Sequence, residues 1–170
     1  MAFIQLSQEV IDIIHSQDTI AAIATIDKNG IPHVTYKDSF SVTEKGELEF
    51  LEIIETSVTN KNLTYHLWFD KLVTINFLSS NKKSFLIEGK VERAIISGKE
   101  FEKRYVALRE KLGDIDLATV WRIAPIYFTN NSFEKRRTEE EIAHPLLRHL
   151  DRLVVTNHKA SDLKEGEAYE

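Results

Sequence analysis

The sequence of 170 residues contains no cysteine. Disulfide bonds, thiolate zinc sites, iron–sulfur clusters and cysteine nucleophiles are therefore all excluded. No apolar run approaches the roughly 18 residues that a membrane-spanning helix needs. The first residues have neither the basic start nor the apolar core of a secretory signal. We therefore expect a cytoplasmic protein that does not enter a membrane.

The sequence also lacks an excess of positive charge. Its formal net charge is −5, and no basic face is evident along the chain. A protein that binds nucleic acid needs clustered Lys and Arg side chains to displace counterions from phosphates. Apolar residues make up 42% and charged residues 29% of the chain, which is ordinary for a folded globular protein. We therefore expect one main folded domain and no nucleic-acid partner.

The familiar catalytic signatures are missing too. The chain has no GxGxxG, GxxxxGK[ST], HExxH or GxSxG pattern. Ser79 and Ser80 precede two lysines, but "SSNKK" is typical of a hairpin turn. His144 and His149 flank a proline without sharing a helical face, so we interpret them as surface histidines. The sequence thus offers no metal site and no assigned general acid or base.

Short apolar segments separated by turn residues dominate the chain. The spacing of apolar residues predicts helices over 8–16, 59–68 and 97–112, the last with capping-box spacing between Ser97 and Glu100. The same criteria predict strands over 20–26, 31–42, 47–54, 72–79, 84–94 and 118–129. Gly89 inside the fifth strand marks a bulge or a close backbone approach. The order of elements predicts a mainly β protein, a six-stranded antiparallel barrel with flanking helices.

The character of the chain changes after its last predicted strand. We expect a barrel domain over 1–133 and a helical extension over 134–155, with Pro145 breaking or kinking the helix. Residues 156–170 are polar and acidic, and we expect a disordered, dispensable tail.

Two segments are more polar than a barrel wall requires. Between Pro32 and Phe40 the second strand carries hydrogen-bonding side chains among its apolar ones. The stretch "TSVTNKNL" places Ser57, Thr59 and Asn62 where a loop enters a helix. The exposed N–H groups and the dipole of a helix start favour a phosphate there, although a routine Ser or Thr N-cap has the same pattern.

The order of these pieces resembles a known family. "IAAIATIDKNGIPHVTYKDSF", a strand, "SVTNKNL" and two strands, of which the second contains "FLIEGKVE", are similar to the pyridoxamine 5′-phosphate oxidase-like split barrels. The resemblance is greatest to their small FMN-binding members and covers about residues 19–133. It implies a homodimer with FMN in a groove at the subunit interface. A small-molecule substrate or a redox partner would then react with the flavin.

The resemblance also implies which residues hold the cofactor. Thr35, Tyr36 and Lys37 would lie along the flavin ring or ribityl chain, with Ser39 near the end of that strand. The remaining implied residues are Ser57, Val58, Thr59 and Asn62 around the phosphate, and Trp121 and Arg122 on the last strand. Val58 departs from the family pattern, which has Lys or Arg directly before the threonine. Losing that charged contact would weaken FMN binding about tenfold to a hundredfold.

The resemblance therefore favours an FMN-binding protein, either a flavin-dependent oxidoreductase or an electron carrier. His33 and Tyr36 are the nearest candidates for an acid or base, by proximity alone. An alternative is a ligand-binding or sensory split barrel without turnover. A further alternative is a haem-binding split barrel that uses a histidine near the carboxyl end. The colour of the purified protein distinguishes the three.

Overall fold

The structure is a computed structural model that describes residues 3–144. The described chain divides into two compact units between Ser132 and Phe133. The strands are β1 (Ile20–Ile26), β2 (Pro32–Lys37), β3 (Ser41–Val42), β4 (Leu48–Glu52), β5 (Leu72–Leu78), β6 (Ser84–Ile95) and β7 (Thr119–Asn130). The helices are α1 (Gln8–His15), α2 (Val58–Phe69), α3 (Gly98–Leu112) and α4 (Phe133–Ala143).

All seven strands belong to one antiparallel sheet in the order β2-β1-β5-β6-β7-β4-β3. The two ends of this order approach one another, because Lys37 on β2 forms an ion pair of 2.7 Å with Glu52 on β4. The Ser39 hydroxyl also accepts a hydrogen bond of 3.0 Å from the Leu51 N–H group. The sheet therefore curls, and the prediction of a mainly β barrel with flanking helices is confirmed.

The number of strands differs from the prediction, because the expected strand over 31–42 is two strands. β2 pairs with β1, whereas β3 pairs with β4 near the other end of the sheet. Between them the chain crosses from one end to the other, and Phe40 enters the core with 7% of its surface exposed. A continuous strand could not pair at both ends, so the sheet has seven strands where six were predicted.

The bulge predicted at Gly89 is confirmed. The register between β6 and β7 shifts between Glu88 and Gly89. A Cβ atom at position 89 would collide with the Ile123 side chain on β7. Glycine is therefore required by the close approach of the two strands.

The inner face of the sheet forms the main core, which α1 and α2 cover. Alternate residues of β1, β5, β6 and β7 are buried there, among them Ile23, Ile75, Ile87 and Ile123. A second, smaller cluster lies on the outer face, where α3 packs beside Val120. The capping box predicted for α3 does not form, since the Ser97 side chain makes no cap hydrogen bond.

The second unit is described only through α4 and His144. On this helix Lys135 pairs with Glu139 and Arg137 with Glu141, each one turn apart. Pro145, most of the extension predicted over 134–155 and the tail predicted over 156–170 lie outside the described residues. None of the helices within residues 3–144 is long and apolar enough to cross a membrane.

Candidate functional site

The predicted cofactor strand, β2, alternates between two faces. Thr35 and Lys37 are half-buried and pair with the core residues Ile23 and Ala21 of β1, so they lie on the inner face. Tyr36 points the other way and is 73% exposed. Successive side chains on a strand point to opposite faces. The three residues predicted to lie along the flavin therefore do not line one wall: Thr35 and Lys37 share it, and Tyr36 lies outside.

The Lys37 side chain ends beside a carboxylate that the sequence analysis did not single out. Its Nζ lies 2.7 Å from Oε2 of Glu52, a residue with no exposed surface. The ammonium group also lies 5.7 Å from the centre of the Phe50 ring. Glu52 in turn accepts a hydrogen bond of 3.2 Å from the Ile54 N–H group. The positive charge of Lys37 is therefore fixed in place and neutralised by Glu52.

Glu52 could have been found from the pattern of its strand. In "ELEFLEII" the residues Leu48, Phe50 and Glu52 alternate, so a two-residue period places all three on one face. The structure buries all three. A carboxylate on an otherwise apolar face needs a charged partner, and that requirement points to a nearby cation.

The predicted phosphate loop enters α2 with a regular N-cap. The Ser57 hydroxyl accepts a hydrogen bond of 3.0 Å from the Asn60 N–H group. Val58 is the first residue of the helix and is 50% exposed. The geometry is the ordinary Ser N-cap that the sequence left open as an alternative. It leaves the first backbone N–H groups of α2 directed toward the open end of the helix.

Thr59 and Asn62, also predicted for the phosphate, are buried beneath α2. They are 2% and 3% exposed. The Asn62 side chain donates a hydrogen bond of 3.0 Å to the hydroxyl of Thr25 on β1. Four residues further along the same face of the helix, His66 Nε2 lies 3.0 Å from the Ile26 backbone nitrogen. This face of α2 therefore anchors the helix to β1.

Asn60 links the loop to the last strand. Its Nδ2 atom donates to the Glu55 carbonyl at 2.9 Å, and its Oδ1 atom accepts from Trp121 Nε1 at 2.9 Å. Trp121 is 1% exposed, so its indole is part of the core. Trp121 is thus joined to the start of α2 through Asn60, from the interior of the barrel.

Arg122 lies on the opposite face of β7, under α3. It is 3% exposed and forms an ion pair of 2.6 Å with Glu49 and a second ion pair with Glu100. Arg104 on α3 binds the same Glu49 carboxylate at 2.6 Å. Adjacent residues of a strand point to opposite faces, so Arg122 is not brought together with Trp121 or with the start of α2.

The two candidates for an acid or base also lie on opposite faces of β2. His33 shares the half-buried inner face of β2, whereas Tyr36 is on the outer face. The buried histidine of this region is His66, which the sequence analysis did not single out. Burial lowers the pKa of His66, against the opposing effect of the hydrogen bond to the Ile26 backbone. His66 is therefore held neutral as a structural anchor.

The hydrogen-bonding groups of β2 and α2 suit the ring and ribityl chain of FMN better than its phosphate. α2 contacts both β1 and β2. Half-buried His33, Thr35 and Lys37 offer hydrogen-bonding groups to the polar edge of a flavin ring or its ribityl chain. The first turn of α2 offers backbone N–H groups and the apolar Val58 to a phosphate, and no side-chain cation of its own.

No protein-family model and no curated protein matches the sequence. Solved structures do match the fold. HupZ of Group A Streptococcus is 19% identical, with a TM-score of 0.62 over 76% of this chain and 96% of that chain. An FMN-binding protein from Syntrophomonas wolfei is 9% identical, with a TM-score of 0.56 over 74% and 88%. HutZ, the heme storage protein from Vibrio cholerae, is 14% identical, with a TM-score of 0.53 over 75% and 95%.

Proteins that carry the name pyridoxamine 5′-phosphate oxidase have the same fold. The chain therefore has the split-barrel fold of the pyridoxamine 5′-phosphate oxidase-like and FMN-binding proteins, as the sequence pattern predicted. At these identities the likeness describes the fold alone and does not identify a ligand.

Proposed function

We propose that the protein is a homodimeric split barrel that binds FMN between the inner side of β2 and the start of α2. It would act as a flavin-dependent oxidoreductase or electron carrier. The observation that carries the proposal is the half-buried polar row of His33, Thr35 and Lys37 beside α2, in a fold shared with an FMN-binding protein. A wall that served only the core would be apolar at these positions.

The chemistry in this proposal belongs to the flavin, which supplies hydride or single-electron transfer when it is bound. The residues of the chain would bind and orient it. Thr35 offers a hydroxyl, and Lys37 offers an ammonium held in place by Glu52. Ser57 holds the first turn of α2 in shape through its N-cap.

Dimerisation is supported by the outer face of the sheet. Tyr36 and Val34 on β2 are 73% and 62% exposed, and they lie opposite Ala22 and Ala24 on β1. Ile20 on the same face of β1 is 55% exposed and lies opposite Leu78 on β5, which is 41% exposed. An exposed apolar patch of adjacent residues is typical of a protein interface.

The test is to purify the untagged protein and to record its absorption spectrum before and after adding FMN. We expect flavin absorption, or quenching of FMN fluorescence on titration, with one flavin per subunit. A Soret band instead would favour haem, the ligand in the name of the structurally similar HutZ. A colourless protein that binds neither FMN nor haem would contradict the proposal and favour a ligand-binding or sensory role without turnover.

A further inference from the structure

The residues that lead into α2 supply no cation for a phosphate. Val58, the first residue of the helix, is apolar and 50% exposed. The charged residues that precede it in the chain are Glu52, which is buried, and Glu55, which is exposed. Lys61, the nearest cation along the chain, lies one helical turn further on and is exposed.

The buried cations of this part of the fold are already neutralised. Lys37 is held at 2.7 Å by Glu52, so the pair contributes no net charge to the groove. Arg122 is held by Glu49 and Glu100 on the other face of β7. Withdrawing either cation to meet a phosphate would leave a buried carboxylate unpaired, which is strongly unfavourable.

The amide side chains in the first turns of α2 are committed as well. Asn62 donates to Thr25, and Asn60 donates to the Glu55 carbonyl. Ser57 Oγ accepts the Asn60 N–H group. What these residues leave for a phosphate is a set of neutral donors, the Ser57 O–H group and the backbone N–H groups of the first helical turn, and such an exposed helix start contributes only roughly a few-fold to the affinity for an anion.

We infer that the groove recognises the ring and ribityl chain of a flavin and is nearly indifferent to its phosphate. This inference rests on the proposed function, because it concerns the same groove. FMN and riboflavin should bind with dissociation constants within about threefold of each other. A cation before the threonine would by contrast favour FMN over riboflavin about tenfold to a hundredfold.

The experiment is a fluorescence-quenching titration of the full chain with FMN and with riboflavin in parallel, at low and at high salt. Similar affinities for both ligands, with little effect of salt on either, support the inference. FMN binding that is more than about tenfold tighter overturns it and leaves the proposed function standing. Binding of neither flavin overturns the proposed function, and the inference with it.

Val58→Lys sharpens the same experiment. A lysine at the first helical position should tighten FMN about fivefold through a charge-assisted contact, after the entropy of ordering its side chain is discounted. The gain should shrink with salt, and riboflavin should gain nothing. Thr64→Lys is the matched control, since it adds the same charge at an exposed position of α2 further from the helix start and should change neither ligand. Equal tightening of both flavins by Val58→Lys would overturn the inference.

Discussion

The two halves of the outer face of the sheet differ in which side chains they bury and which they expose. Over β4, β7 and the end of β6, α3 covers the sheet, and the buried residues there include the charged Glu49 and Arg122. Over β1 and β2 nothing within residues 3–144 covers the outer face, and its exposed residues include the apolar Ile20, Val34 and Tyr36. The covered half thus buries a charge cluster beside the apolar cluster around Val120, and the open half leaves aliphatic and aromatic groups exposed.

This difference between the two halves depends on what covers each of them. Charges can be buried under α3 because each finds an opposite charge within the same chain. The apolar residues of β1 and β2 have no such cover within residues 3–144, and leaving them in water forgoes the free energy of burial. Covering them with a second subunit recovers that free energy. The open half is therefore the surface on which the proposed homodimer depends.

The largest effect is expected from breaking the charge cluster of the covered half. Glu49→Gln keeps the size of the side chain but leaves Arg104 without its partner and Arg122 with Glu100 alone. Removing one member of a buried ion pair costs about 3 kcal/mol of unfolding free energy. Urea unfolding monitored by tryptophan fluorescence measures this loss.

Glu47→Gln is the matched control for that variant. Glu47 pairs with Arg93 at 3.3 Å, and the Arg93 side chain is 48% exposed. Exposed ion pairs contribute less than about 1 kcal/mol. If the two variants lost equal stability, burial would not be what distinguishes the cluster under α3.

The open half is tested by placing a charge in its centre. Tyr36→Asp should weaken the dimer at least about a hundredfold, because an unpaired carboxylate would be desolvated in an apolar interface. Sedimentation velocity at micromolar concentration measures the shift from dimer to monomer. Ile96→Asp is the control, since Ile96 is 66% exposed but follows β6 outside this patch. A wild-type protein that is monomeric at that concentration would contradict the dimer itself.

A smaller effect is expected from His66, the buried histidine that anchors α2 to β1. Burial lowers the pKa of His66 in the folded protein, whereas the unfolded chain takes up a proton at about 6.5. Between these two values the unfolded state binds more protons, so stability falls as the pH drops below about 6.5. The fall from this residue ends once the pH is below the lowered pKa. It should be visible between about pH 7.5 and 5.5.

Substitution of this residue isolates its share of the pH dependence. His66→Gln removes the titrating group and can still accept the Ile26 N–H group. The unfolding free energy of the variant should therefore depend less steeply on pH over that range, whatever its absolute stability. Identical slopes for the variant and the wild type would mean that His66 takes up its proton equally well in the folded chain.

Much of this architecture could be predicted from local patterns. β1 has the predicted bounds, and the bulge at Gly89 and the starts of α1 and β5 were also predicted correctly. The periods of apolar residues and the turn residues determine these features within a few neighbouring positions. The break between β2 and β3 could not be predicted in this way, because it depends on Ser39 and Phe40 meeting β4 and the core across the barrel.

The candidate functional site was less predictable, because its contacts also join residues that are far apart in the sequence. The alternation of β2 separates Tyr36 from Thr35 and Lys37, and this much was available from the sequence. That Arg122 turns toward Glu49, while Trp121 turns toward Asn60, depends on which face of β7 each helix covers. A single sequence does not contain that information. Thr59 and Asn62 were predicted as ligand contacts because their type suits a phosphate, and the same type suits a buried anchor.

The smallest predicted effect concerns Ser39, which joins the open half of the sheet to the covered half. Its hydroxyl accepts from the Leu51 N–H group at 3.0 Å and donates to the Leu51 carbonyl at 3.2 Å. Both hydrogen-bonding roles are thus used within the chain, so this predicted cofactor residue has a structural task. Ser39→Ala should cost about 1 kcal/mol of unfolding free energy and should change flavin affinity less than about twofold. Ser80→Ala, in the exposed turn before β6, is the control and should cost less than about 0.5 kcal/mol. A Ser39 variant with unchanged stability and weakened flavin binding would instead return Ser39 to the groove.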